Sequence, residues 1–167
     1  IRFNGALTEG YEEFVGSKTT HRILNCHYIL NIDSESYFNH QKSRFPQMDR
    51  FFLYGLKNEN IFFKTDPSWR LWEKRKIIEK VKEKNNVFFI SEEFYNLGKR
   101  INGGIEPTNG FIGLMLSLKF FNKIDCFGFS FYDEQEKSHY YQKITCDPKN
   151  NHNFEKERLI FGLLKKS

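Results

Sequence analysis

Two periodicities alternate along this chain, and that alternation narrows its fold more than any other feature. Short apolar runs rich in β-branched and aromatic residues stand at 22–30, 50–56, 87–91 and 124–129, and such runs favour strands. Between them lie helical patterns at 68–84, 92–101 and 109–121, with a last one over about 152–164. The opening Ile1-Arg2-Phe3 also reads as a strand. Strands alternating with helices predict an α/β layer on a mainly parallel sheet flanked by helices. Ligands of such sheets sit at the C-terminal ends of the strands, which directs attention to the loops 4–20, 102–110, 128–139 and 145–152.

At 167 residues, 39% apolar and 28% charged, the chain is sized for one domain over 1–167, and no repeat or linker divides it. The net charge of +5 suits an anionic partner such as a nucleotide phosphate, a nucleic acid or a membrane surface. Much of the excess falls in 70–84. There Leu71, Ile78 and Val81 keep helical spacing while the Lys and Arg residues lie off the apolar stripe, so a solvated helix face is the plainer reading than a nucleic-acid stripe. The 3 cysteines, Cys26, Cys126 and Cys146, form no CxxC or Cys/His ligand spacing. With no N-x-S/T sequon, they lean away from a secreted, glycosylated surface. Because the sequence starts at Ile1 within an apparent strand, we expect a fragment whose first strand region, and any membrane anchor, lies upstream.

Two loops carry residues with chemistry to offer. Gly103-Gly104-Ile105-Glu106-Pro107-Thr108-Asn109-Gly110 runs into the apolar 111–118, a turn that would present a helix N-terminus to a phosphate or carboxylate, or simply cap the helix. His139 follows the polar stretch 133–138, and His152 opens the last helix. A helix N-terminus biases an imidazole toward the neutral form that a general base needs. A capping role is the plain alternative, since Asn150, Asn151 and Asn153 flank His152. No DxD and no His/carboxylate pair at metal-ligand spacing occurs, nor a Walker loop, a GxGxxG or a GxSxG elbow.

Taken in order, several segments resemble the eukaryotic sialyltransferase family. Arg2-Phe3-Asn4-Gly5-Ala6 followed by Gly10-Tyr11-Glu12-Glu13-Phe14-Val15-Gly16-Ser17-Lys18-Thr19-Thr20-His21 is similar to the second half of that family's long motif. Pro107-Thr108-Asn109-Gly110, the apolar 114–118 and Cys126-Phe127-Gly128-Phe129 resemble its short motif. His139-Tyr140-Tyr141 resembles the third motif, and His152 with Glu157 the H-x4-E of the last.

The resemblance implies a single Rossmann-like (GT-A-like) domain that moves sialic acid, or a related acid sugar, from a cytidine monophosphate (CMP) donor to a glycan hydroxyl with inversion. The chemistry would use no metal and no cofactor beyond the donor CMP-sialic acid. It places Asn4, Thr108, Asn109, Gly110, Gly128, Phe129 and Tyr140 at the donor. It assigns the leaving phosphate to His139 and the acceptor proton to His152, with Glu157 structural or indirectly orienting. Nucleotide-sugar donor and glycan acceptor are the implied partners, no nucleic acid is expected, and a membrane enters only through an upstream anchor. The Golgi lumen is the implied compartment. Phe121 stands at the family's usual cysteine in the short motif, so the family disulfide is not expected, which fits a reducing compartment or a divergent lineage. Gln142 replaces the usual acidic residue of the third motif. The alternatives are a non-catalytic CMP-binding remnant of such an enzyme and a basic nucleic-acid-binding domain.

Overall fold

The computed structural model describes residues 1–6, 8–30, 34–36, 39, 52–64, 73–129 and 152–164. They fall into two compact units, Ile1–Glu92 and Glu93–Ser167. In the first unit a four-stranded, wholly parallel sheet runs β1 (Arg2–Phe3), β2 (His21–Asn25), β3 (Asn60–Lys64), β4 (Asn86–Phe89) in that order. Helical segments α1 (Glu12–Val15), α2 (His27–Leu30), α3 (Phe52–Gly55) and α4 (Arg75–Lys82) connect the strands. The α/β architecture on a parallel sheet is the one expected from the alternating pattern.

Strand alternation decides the core. Leu24 of β2, with Ile61 and Phe63 of β3, is fully buried against Ile29, Leu53, Ile78 and Val81. On the other face Phe62 stacks on Phe88 at 4.9 Å and on the His21 ring at 6.1 Å. Helix α4 turns Ile78 and Val81 to the core and leaves Lys80 and Lys82 outside, as the amphipathic pattern predicts. Asn85 ties the next corner, donating to the carbonyls of Leu56 and Val81 while accepting from the Glu59 N–H.

Two strand expectations in this unit need correction: the run 22–30 is a strand only as far as Asn25 and turns helical over 27–30. The run 50–56 is not a strand, because 52–55 is helical and turns Leu53 into the core. The strand is instead 60–64, beyond a turn in which Asn58 takes φ +59°.

In the second unit α5 (Glu92–Ile101), α6 (Asn109–Phe120) and α7 (Phe154–Leu164) carry the structure. Phe111 and Leu114 of α6 pack with Phe161 of α7, joined by Met115, Phe129 and Ile160. Gly98 lets α5 lie close on α6, since a Cβ there would stand 3.0 Å from Ile112 and 3.3 Å from Met115. The run 124–129, expected as a strand, carries no strand. Among the described residues no helix is long and apolar enough to cross a membrane.

Candidate active site

In the first unit, Asn4 follows β1 at the C-terminal edge of the sheet, where a parallel α/β layer places its ligands. It takes the left-handed conformation, φ +50°, which asparagine tolerates better than most residues. Its N–H donates to the Ile23 carbonyl at 2.8 Å, and its Oδ1 accepts from the Asn25 N–H at 3.2 Å. Two arginines then fold the long-motif segment back on itself. Arg2 donates to the carbonyls of Val15 and Gly16, both at 2.7 Å, and to Thr19 Oγ1 at 2.8 Å. Arg22 donates to the Asn4 carbonyl at 2.8 Å.

The second unit joins the last motif to the short one. Glu157, 2% exposed on α7, accepts from the Thr108 N–H at 2.9 Å, from the Thr108 hydroxyl at 2.6 Å and from the Asn102 amide at 3.3 Å. The same Thr108 hydroxyl accepts the Phe111 N–H at 3.0 Å and so caps α6. Its proton is committed to Glu157. What it keeps for a ligand is an acceptor lone pair. Asn153, whose Oδ1 accepts the Lys156 N–H, is the N-cap of α7, so His152 sits just ahead of the helix.

The His152 ring is oriented by one bond. Nδ1 lies 2.8 Å from the Glu106 carbonyl oxygen, which can only accept, so Nδ1 carries the proton and Nε2 the lone pair in the neutral ring. The T-shaped contact with Phe154, with ring centroids 5.8 Å apart, limits its rotation further. His152 and Glu157 thus grip Glu106 and Thr108, either side of Pro107. The H-x4-E spacing serves that grip: His152, ahead of α7, reaches the Glu106 carbonyl, and Glu157, on α7, takes both Thr108 donors.

Gly110 has no room for a side chain. A Cβ there would stand 2.7 Å from Cε1 of the Phe129 ring, which lies over it and tilts against Phe161 at 4.9 Å. Phe129 therefore packs on the same turn as Thr108. Gly128 adopts φ +74°, a conformation suited to glycine. The structure thus gathers His152, Thr108, Asn109, Gly110 and Phe129 around the start of α6, while Asn4 belongs to the other unit. His139 and Tyr140 lie outside the described residues. Sequence reasoning took Glu157 no further than a structural or indirectly orienting role and gave Asn102 none beyond its place in the loop 102–110; the signal available for Glu157 was a charged residue on what should be the inward face of an apolar helix. Among the described residues no three His, Cys, Asp or Glu side chains gather to hold a metal ion.

The model of glycosyltransferase family 29 (sialyltransferase) matches residues 1–167. The chain belongs to that family. A curated relative, the beta-galactoside alpha-2,6-sialyltransferase 2 of Gallus gallus, is 26% identical over 149 residues, covering 74% of this chain. The match spans 25% of that relative's length. No solved structure matches. Family membership gives the Thr108 turn and the H-x4-E pair a shared context, because the segments that resembled two separate sialyltransferase motifs are held together by Glu157.

Proposed function

We infer that this sialyltransferase-family chain carries the donor-binding and proton-accepting part of an enzyme that moves sialic acid from CMP-sialic acid to a glycan hydroxyl. One observation carries the reading: His152 is fixed through Nδ1 to the Glu106 carbonyl, beside the Thr108–Gly110 turn, with Nε2 left as the basic nitrogen.

The chemistry follows from that arrangement. Nε2 takes the acceptor hydroxyl proton while the acceptor oxygen bonds to the anomeric carbon and the bond from that carbon to the CMP phosphate oxygen breaks. One displacement inverts the centre. The leaving group is a monophosphate on an activated sugar, so His139 in its protonated form and the positive end of α6 would balance its charge without a divalent ion. Asn4 would meet the nucleotide or its phosphate, and Gly128 with Phe129 the cytidine. From family membership, the Golgi lumen is the proposed compartment.

Transfer and hydrolysis of CMP-sialic acid by the protein, wild type against His152→Ala, test the reading. Loss of a general base lowers turnover by about 10²–10⁴-fold. Unchanged turnover in the variant removes His152 as the base, and retained CMP binding without turnover in the wild type supports the non-catalytic alternative.

A further inference from the structure

A charged pair that none of the resembling motifs includes reaches the turn that carries Asn4. Arg22 and Glu59 are 6% and 7% exposed. Nε of Arg22 donates to one Glu59 carboxylate oxygen at 2.7 Å and Nη2 to the other at 3.0 Å, a bidentate fork. The remaining Nη1 points away from Glu59 and reaches the Asn4 carbonyl at 2.8 Å and the Ala6 carbonyl at 3.4 Å. Glu59 is itself pinned through its backbone, its N–H on Asn85 and its carbonyl accepting the Asn86 N–H at 3.0 Å.

A buried ion pair contributes little net stability, because desolvating both charges offsets most of their attraction. What it supplies is direction. With two of its nitrogens held by Glu59, the guanidinium has a single orientation, and that orientation delivers a charge-assisted donor to the two carbonyls flanking Gly5. These carbonyls belong to the turn that carries Asn4 in its left-handed backbone at the C-terminal edge of the sheet. We propose that Glu59 is a positioning residue for the nucleotide site, acting through Arg22 to hold the Asn4–Ala6 turn in the shape that receives CMP. This rests on the sialyl-transfer reading above.

The test is Glu59→Gln, which keeps the side chain's shape and removes its charge, read in two ways on the whole protein. Amide exchange without nucleotide follows the Asn25 N–H, whose acceptor is Asn4 Oδ1, and the Ala6 N–H, which bonds the Phe3 carbonyl. Both should exchange about tenfold faster in the variant, while the other paired amides of β2 and those of β3 keep their rates. Titration with CMP should show Kd about five- to tenfold higher in the variant. If the turn amides keep wild-type rates, or speed up only in step with the β2 and β3 amides, the pair is merely structural and the proposal is overturned. Equal CMP affinity in wild type and variant also overturns it and leaves the transferase reading standing. A wild type that binds no CMP defeats that reading and this proposal together.

Discussion

Removing the Glu157 carboxylate tests the joint between the two motifs. Glu157→Ala takes the acceptor from two short hydrogen bonds to Thr108, at 2.9 and 2.6 Å, and from a longer one to Asn102 at 3.3 Å. Hydrogen bonds to a charged group contribute about 1.5–3 kcal/mol each, and donors left unsatisfied in a buried setting cost a comparable amount. The burial cost of the carboxylate itself is recovered in the variant and offsets part of that loss. A net destabilisation of about 3–4 kcal/mol results. Glu157→Gln keeps the volume and can still accept the Thr108 N–H through its oxygen, while its NH2 donates to the second lone pair of the Thr108 hydroxyl. The charge assistance is lost and the Thr108 hydroxyl proton gives up its carboxylate acceptor, about 1–2 kcal/mol in all. Urea unfolding followed by far-ultraviolet circular dichroism measures both. The reasoning is refuted if Glu157→Ala lies within about 1 kcal/mol of wild type, or costs no more than Glu157→Gln.

Other outcomes follow from single contacts. Gly110→Ala pushes a methyl group into the Phe129 ring and should cost about 1–3 kcal/mol in thermal unfolding, with Phe129→Leu in the same chain recovering much of it; an unchanged melting temperature for Gly110→Ala contradicts the contact. Asn4→Ala loses the bond to Asn25 and strains a left-handed backbone, about 2 kcal/mol in all, whereas Asn4→Gly relieves the backbone part and should cost about half as much by chemical unfolding. His21 has its pKa lowered from 6.5, chiefly by desolvation. Its Nε2 also faces the Asn60 amide, a donor that only an unprotonated nitrogen can accept. The unfolded chain therefore takes up this proton first, so the stability His21 contributes is present above about pH 6.5 and declines as the pH falls through that value toward the folded pKa. Measured over that range, stability should fall less steeply in His21→Gln than in wild type, and equal slopes would count against the assignment.

The sequence pattern carried the architecture and the order of the motifs, for reasons particular residues make clear. Helix 92–101 was legible because its apolar positions recur at helical spacing and two glycines of positive φ follow it. Helix 109–120 was legible from Pro107 and the Thr108 cap ahead of an apolar run. The strand 60–64 was missed because 50–56 offered a longer apolar stretch, and only tertiary burial of Leu53 from a helical turn separates the two. At the candidate site, residue types marked His152 and Thr108. The Glu157–Thr108 bond joins positions 49 apart in sequence, and the Arg22–Glu59 fork joins positions 37 apart. Side-chain partnerships at such separations leave no periodic trace in the chain.

The tautomer of His152 bears most directly on the assignment of the base. Long-range ¹H–¹⁵N correlation spectra of the imidazole, recorded above neutral pH, distinguish the two ring nitrogens. A protonated Nδ1 and a bare Nε2 whose resonance shifts when CMP is added are the predicted result. A proton on Nε2, with Nδ1 bare, would contradict the Glu106 anchor and with it the role of His152 as proton acceptor.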